Sequence, residues 1–159
     1  MMVMTAKVDK KKILIGAAAV LVLIIMLFTL LGGNGDDTTP TAATVSNNDA
    51  RVEFLKSFGW DVAATPVESS QVRIPDKSSE VYDRYNALQK SQGYDLSPYA
   101  GKNVMRYVYK INNYPNATEP VYATLLVYKN QVIGGDITDT SPKGVVQGFK
   151  MTEEQAAPA

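Results

Sequence analysis

Asp136, Thr138, Asp139 and Ser141 crowd several side-chain oxygens into one short stretch, the residue types a hard cation takes. Calcium asks for about six to eight oxygen ligands, and this stretch lacks the acid count and the terminal bidentate glutamate of a helix-loop-helix site. Ordinary turn chemistry by Asp and Ser accounts for it, and no metal is assigned. Lys56-Ser57 and Lys90-Ser91 suggest a Ser-Lys dyad. Neighbours on a helix point about 100° apart and do not face each other, so these are surface helix ends. Glu80, Asp83 and Arg84 read as a solvated helix face. Glycosidic chemistry needs two acids about 5–10 Å apart in a cleft, which spacing alone does not show. Asn116-Ala117-Thr118 matches a glycosylation sequon, a three-residue pattern frequent by chance. No catalytic, cofactor-binding or metal-ligating residue is assigned, and no cofactor is implied.

The chain has neither Cys nor His. That removes thiol nucleophiles, CxxC redox pairs, thiolate metal sites, the commonest general base and the commonest transition-metal ligand. It also removes a lipidated cysteine. Residues 34–159 carry 12 Lys+Arg against 15 Asp+Glu, a net charge of −3. Nothing there forms the clustered cations that nucleic acid requires, so no nucleic-acid partner is expected.

Aromatic side chains are the richer signal. All nine tyrosines lie between Tyr82 and Tyr128. Tyr107 and Tyr109 share one face of a strand; Tyr122 and Tyr128 share a face of the next. Most build a core with hydroxyls at its rim. Yet both faces of these strands carry large or apolar groups, and a sheet covered by helices on one side buries one face. Tyr107, Tyr109, Tyr122 and Tyr128 are therefore the candidate binding face.

The elements that hold these residues begin with an anchor. Ile13 to Leu31 is a run of 19 residues without a charge or proline. As a helix it covers roughly 28 Å, close to the hydrocarbon thickness of a bilayer. Lys7, Lys10, Lys11 and Lys12 precede it and Asp36 and Asp37 follow, which keeps residues 1–12 cytoplasmic and sends the remainder across the cell membrane. A cleaved signal peptide is the rival reading; its apolar core is shorter, about 7–15 residues. Residues 32–48 have linker composition, and 151–159 read as a disordered tail. Residues 49–150 suffice for one hydrophobic core.

Within that core, Asn48 or Asp49 caps a first helix carrying Val52, Phe54, Leu55 and Phe58, stopped by Gly59 and Trp60. A strand spans Gln71 to Ile74. A second helix follows caps at Asp76 to Ser79, shows Val81, Tyr85 and Leu88 at i, i+4, i+7, and stops at Gly93-Tyr94. Strict alternation marks a strand from Asn103 to Asn112. Val121 to Lys129 and Gln131 to Ile137 form a hairpin with a bulge at Gly134-Gly135, and a short strand spans Val145 to Phe149. The expected fold is α+β: two helices packed on one face of a four- to five-stranded antiparallel sheet, preceded by a single transmembrane helix. Lys56-Ser57-Phe58-Gly59-Trp60-Asp61-Val62 aligns with Lys90-Ser91-Gln92-Gly93-Tyr94-Asp95-Leu96, which suggests a duplicated helix–strand unit or a reused helix stop.

A resemblance rests on several strings together. They are Arg51-x-x-Phe-Leu-x-x-x-Gly-Trp-x-Val, Val72-x-Ile-Pro, Val81-Tyr-x-x-Tyr-Asn-x-Leu-Gln-x-x-Gln-Gly-x-Asp-Leu, Gly101-Lys, Asn113-Tyr-Pro and Val132-Ile-Gly-Gly-Asp-Ile. Over residues 51 to about 149 the chain resembles an uncharacterised domain-of-unknown-function family of Gram-positive anaerobes, found behind a single N-terminal membrane helix. The resemblance implies an extracytoplasmic domain and carries no activity or site residues. The favoured expectation is a non-catalytic module binding a protein, peptide or envelope polymer, an envelope protein or cell-wall polymer being its partner. A cell-wall-acting hydrolase using Asp/Glu and a structural or inhibitory component of a membrane assembly are the alternatives.

Overall fold

The computed structural model describes residues 43–156. The membrane run Ile13 to Leu31, the flank before it and the linker as far as 42 lie outside the described residues. Among the described residues no helix is long and apolar enough to cross a membrane.

Helix α1 (Asn48–Lys56) is capped by Asn47, whose side chain accepts from Ala50 N at 2.8 Å. The cap sits one residue before Asn48 because Asn47 has extended backbone while Asn48 is already helical. Asn48 is then free to donate to Ala64 O (2.7 Å) and accept from the Tyr109 hydroxyl (3.0 Å). Gly59, at φ +93°, ends the helix, and Trp60 N returns to Leu55 O. Helix α2 (Glu80–Ser91) is capped by Ser79 and ends the same way: Gly93 at φ +85°, Tyr94 N on Gln89 O. These are the left-handed stops that glycine permits without Cβ strain.

Five strands follow chain order in one antiparallel meander: β1 (Glu68–Arg73), β2 (Asn103–Ile111), β3 (Val121–Tyr128), β4 (Gln131–Asp139) and β5 (Val146–Gln147). Lys129 and Asn130 both have positive φ, the geometry of a two-residue hairpin turn whose twist matches its strands. The β3–β4 register shifts between Leu126 and Val127, so the expected bulge lies beside Gly134. Gly135 is needed for close approach: a Cβ there would stand 2.1 Å from Thr124 O.

The sheet is α+β and antiparallel as expected, but its helices are not on one face. Leu55, Phe54 and Val52 of α1 pack with Tyr109, Leu125 and Val127, whereas Tyr82 and Tyr85 of α2 pack with Val104, Leu126 and Ile133. These strand residues alternate, so α1 and α2 cover opposite faces. The reason is in the strands: both faces of β2 and β3 are apolar enough to need a cover. The duplicated-unit reading fails here too. Gln71 pairs with Met105, its counterpart at the repeat offset. A two-fold relating antiparallel neighbours, however, runs perpendicular to the sheet and would keep both helices on one side. Only the helix stop is reused.

Two boundaries move. Val45 is 2% exposed, its N–H donates to Asn130 O, and Thr44 bridges Gln131, so the folded unit reaches back into the segment read as linker. At the other end, Gln155 of α3 (Glu153–Ala156) exchanges amide hydrogen bonds with Gln147, which ties down part of the tail. Residues 157–159 lie outside the described residues.

Candidate functional site

The α2 face holds a cleft. Its floor is the even-numbered side of β2 and β3, where Arg106, Thr124 and Leu126 project; Val72, Ile74 and Pro75 form one wall. Ser79, Val81, Tyr82 and Tyr85 from the start of α2 form the other. The space is about 380 Å³ and its lining is mostly apolar. A second furrow of about 390 Å³ shares Arg106 and Thr124 with it and runs on past Glu68, Tyr122, Thr138 and Thr140.

Arg106 lies between the two, half-buried, and pairs with Glu68 at 2.7 Å. The Ser70 hydroxyl and then Arg106 hold the Glu68 carboxyl below its ordinary range. On the same face, opposite Thr124 across β3 and β4 and covered by Tyr85, sits Asp136, 5% exposed. Its two oxygens accept from the Tyr85 hydroxyl (2.8 Å) and the Thr138 hydroxyl (2.7 Å). Burial pushes the Asp136 carboxyl up, against the pull of those hydrogen bonds and of Arg106. Burial, then the Asp136 charge, pushes the Tyr85 phenol up as well.

Helix α2 is fixed in place by its glutamines. Segment 43–45 pairs with the start of β4 and β5 with its end, leaving the backbone at Gly135 between them. Gln89, fully buried, accepts from Gly135 N (2.8 Å), and Gln92 donates to Gly135 O (3.0 Å). Gln92 Oε1 also accepts from Phe149 N at 2.7 Å. Two side-chain amides thus stand where a strand would, which satisfies buried backbone groups that are costly to leave unpaired. Asn86 works similarly on the loop after α2, accepting from Leu96 N and donating to Asp95.

The four singled-out tyrosines do not share one surface. Tyr109 is fully buried on the α1 face, where its hydroxyl meets Asn48 and Arg51. The Arg51 guanidinium covers the Tyr107 ring at 3.8 Å. Tyr122 lines the second furrow of the α2 face. Tyr128, at the far end of β3, packs edge-on against Tyr99 at 5.4 Å. The oxygen-rich stretch also divides: Asp136 turns to Tyr85 and Thr138, while Asp139 accepts from Ser141 N in a turn. Sequence reading missed Arg106, Gln89 and Gln92. A cation set between Val104 and Val108 on a strand face was the available signal for the first. Glutamines three apart on a helix have no comparable signature.

Taken together, these features define an α+β domain with a meander sheet covered on both faces and an apolar cleft beside one helix. The chain belongs to the family described as a domain of unknown function, DUF4830, whose model matches residues 54–137. That span holds the cleft, Arg106, Asp136 and both glutamines; segment 43–45, β5 and Phe149 lie outside it. No curated protein and no solved structure matches the chain.

Proposed function

We propose that this is a non-catalytic binding module, held at the extracytoplasmic face of a cell membrane by Ile13 to Leu31, that takes an extended segment of a partner into the α2-face cleft. The observation carrying this is the cleft itself: an open, apolar-walled trough continuing past a single arginine into a polar furrow. That shape suits a chain-like ligand with an apolar side chain in the first part and acceptor groups over Arg106. The sequence outside the described residues supports the location, as does the family resemblance with its Gram-positive hosts. An envelope protein is the favoured partner and a cell-wall polymer the alternative.

The hydrolase reading has one observation in its favour. Asp136 and Glu68 flank Arg106 with carboxyl affinities pushed in opposite directions, the kind of split that separates an acid from a base. Against it, both Asp136 oxygens are engaged and the carboxyl is buried under Tyr85.

Photocrosslinkers placed at Val81, Tyr122 and, as a control on the other face, Tyr107 test the proposal in full-length chain in intact membranes. A shared adduct from positions 81 and 122 but not 107 is the expected result. A folded chain that crosslinks equally from all three, or loses cell-wall hydrolysis with Asp136→Asn, overturns it.

A further inference from the structure

The two edges of the sheet are finished differently. The β4 edge is met by segment 43–45, by the Gln89 and Gln92 amides and by β5. The β1 edge is bare: β1 is the end strand and pairs with β2 alone. Ile74 N bonds to Lys102 O in continuation of the β1–β2 register, so the even-numbered residues of β1 turn their backbone groups to β2. Alternation then points the N–H and C=O of Ser69, Gln71 and Arg73 outward. All three residues are exposed, and among the described residues no other backbone meets these groups. Between Ser69 and Arg73 there is neither a proline nor a bulge, two of the devices that blunt an open edge.

A guanidinium lies beside that edge. Tyr107 is the register partner of Ser69 and so shares its face of the sheet. Arg51 rests on the Tyr107 ring at 3.8 Å and donates from Nε to the buried Tyr109 hydroxyl at 2.9 Å. The stacking and that bond fix the guanidinium plane, and among the described residues no carboxylate pairs with it. Its remaining N–H groups form a pre-set fork for a planar anion. Arg73, on the same face, meets Asp76 at 3.7 Å, and both are largely exposed. Ser69, between Tyr107 and the edge, has a short side chain. A strand added to β1 would lie about 10 Å from β2, two strand spacings, within reach of a glutamate extending over Ser69 toward the guanidinium.

Outward donors and acceptors at strand spacing are the complement of a polypeptide backbone. The open fork asks that this polypeptide carry an acid. A second copy of the chain does not supply one. In β1 paired with itself, outward residues oppose outward residues, so the copy brings Ser69, Gln71 and Arg73 to this face. We propose that the β1 edge takes an acidic extended segment of a partner protein as a sixth strand, with one of its carboxylates on the Arg51 fork. This strand addition does not depend on the α2-face cleft.

The test uses full-length chain in phosphatidylcholine nanodiscs and a displayed library of random nine-residue peptides, with binders of empty nanodiscs removed. Enriched peptides are expected to carry Asp or Glu at alternate positions. On binding they should slow amide exchange at Ser69, Gln71 and Arg73 and leave Ser70 and Val72, already turned to β2, unchanged. Gln71→Pro removes an outward N–H from an edge strand, where proline is tolerated, and is expected to weaken binding more than tenfold with the urea midpoint held. Arg51→Gln is expected to weaken it about tenfold, the weight of a charge-assisted hydrogen bond. An absence of enriched peptides, exchange at 69, 71 and 73 that peptide does not slow, or a chain that self-associates through β1 instead overturns the proposal. Peptides lost with Val81→Ser but kept with Gln71→Pro sit in the cleft; they overturn the strand addition and leave the cleft reading standing.

Discussion

The two faces of the sheet are filled in opposite styles. Under α1 the contacts are mainly aromatic and aliphatic: Phe54 and Phe58 pack against Phe149, Trp60 stacks on Tyr114, and Leu55, Trp60, Tyr109, Leu125 and Phe149 are buried. Polar atoms there are few and paired, as where the Trp60 indole N–H donates to Phe149 O at 2.6 Å. Under α2 the buried set includes Asn86, Gln89, Thr124 and Asp136, and a cleft remains open above them. Dispersion and burial stabilise the first face without specifying a ligand. The second spends burial on amides and a carboxyl, groups that contribute little net stability and set geometry.

That contrast is most easily broken at Trp60. Trp60→Ala is expected to cost about 3–5 kcal/mol, from lost burial, the cavity left behind and the orphaned Phe149 carbonyl. Against a typical total of about 5–15 kcal/mol this is a large share, and urea denaturation reads it directly. A loss below about 1 kcal/mol, within the range of ordinary substitutions, would mean the α1 face is not the domain's main store of stability.

Gly135→Ala comes next, because Gly135 joins the two faces. Its Cβ would meet Thr124 O at 2.1 Å and the Phe149 ring at 2.4 Å, with backbone on one side and a packed core ring on the other. Overpacking of this kind costs about 1–3 kcal/mol. It would also disturb the Gln89 and Gln92 bonds to the same residue, so hydrogen exchange at the Gly135 amide should quicken more than that of the α1-face core.

Acid titration sharpens the comparison on the α2 side. Asp136 has a folded affinity for protons raised by burial, so its contribution is present in full below pH 3.8, its ordinary value, and is lost as pH rises through the higher folded value. Asp95 is the reverse case. Backbone and side-chain hydrogen bonds from Ser97, then one from Asn86, bring it down to about 2, so its contribution is present above pH 3.8 and lost as pH falls toward that value. Asp136→Asn should therefore flatten the decline on the higher-pH side of urea midpoints, and Asp95→Asn the decline on the acid side. An Asp136→Asn chain with an unchanged profile would show that the carboxyl is not charged at a cost in the folded state.

How much of this the sequence disclosed follows from what each signal measures. Alternation along Met105 to Ile111 and Val121 to Val127 located the strands, and Gly59-Trp60 and Gly93-Tyr94 located both helix stops, because period and φ > 0 are local properties. Which face a helix covers is not local, and the two-sided apolar pattern of β2 and β3 suits an exposed aromatic face as well as it suits a demand for two covers. The α2 pattern misled for a related reason. Val81, Tyr85 and Leu88 suggested the buried stripe, yet Gln89 and Asn86 are the buried positions, and polar side chains recruited to an incomplete sheet edge leave no hydrophobic period. Arg106 was legible only as an interruption in a strand. Its place at the junction of the two furrows needed the register with β3.

The smallest expected effect on folding is the most informative about use. Val81 is 81% exposed at the mouth of the cleft, on the first turn of α2, and its methyls contribute little to burial. Val81→Ser should therefore change stability by no more than about 0.5 kcal/mol, the usual range for a surface position. An isopropyl group at the rim of an apolar trough is worth more to a ligand that covers it than to the fold that leaves it in water, since burial of apolar area is the source of its value. Adduct yield from a crosslinker at Tyr122 should accordingly fall in Val81→Ser while the urea midpoint holds. If the midpoint falls instead and the adduct persists, Val81 belongs to the fold, and the cleft mouth must be sought elsewhere along the β1 side.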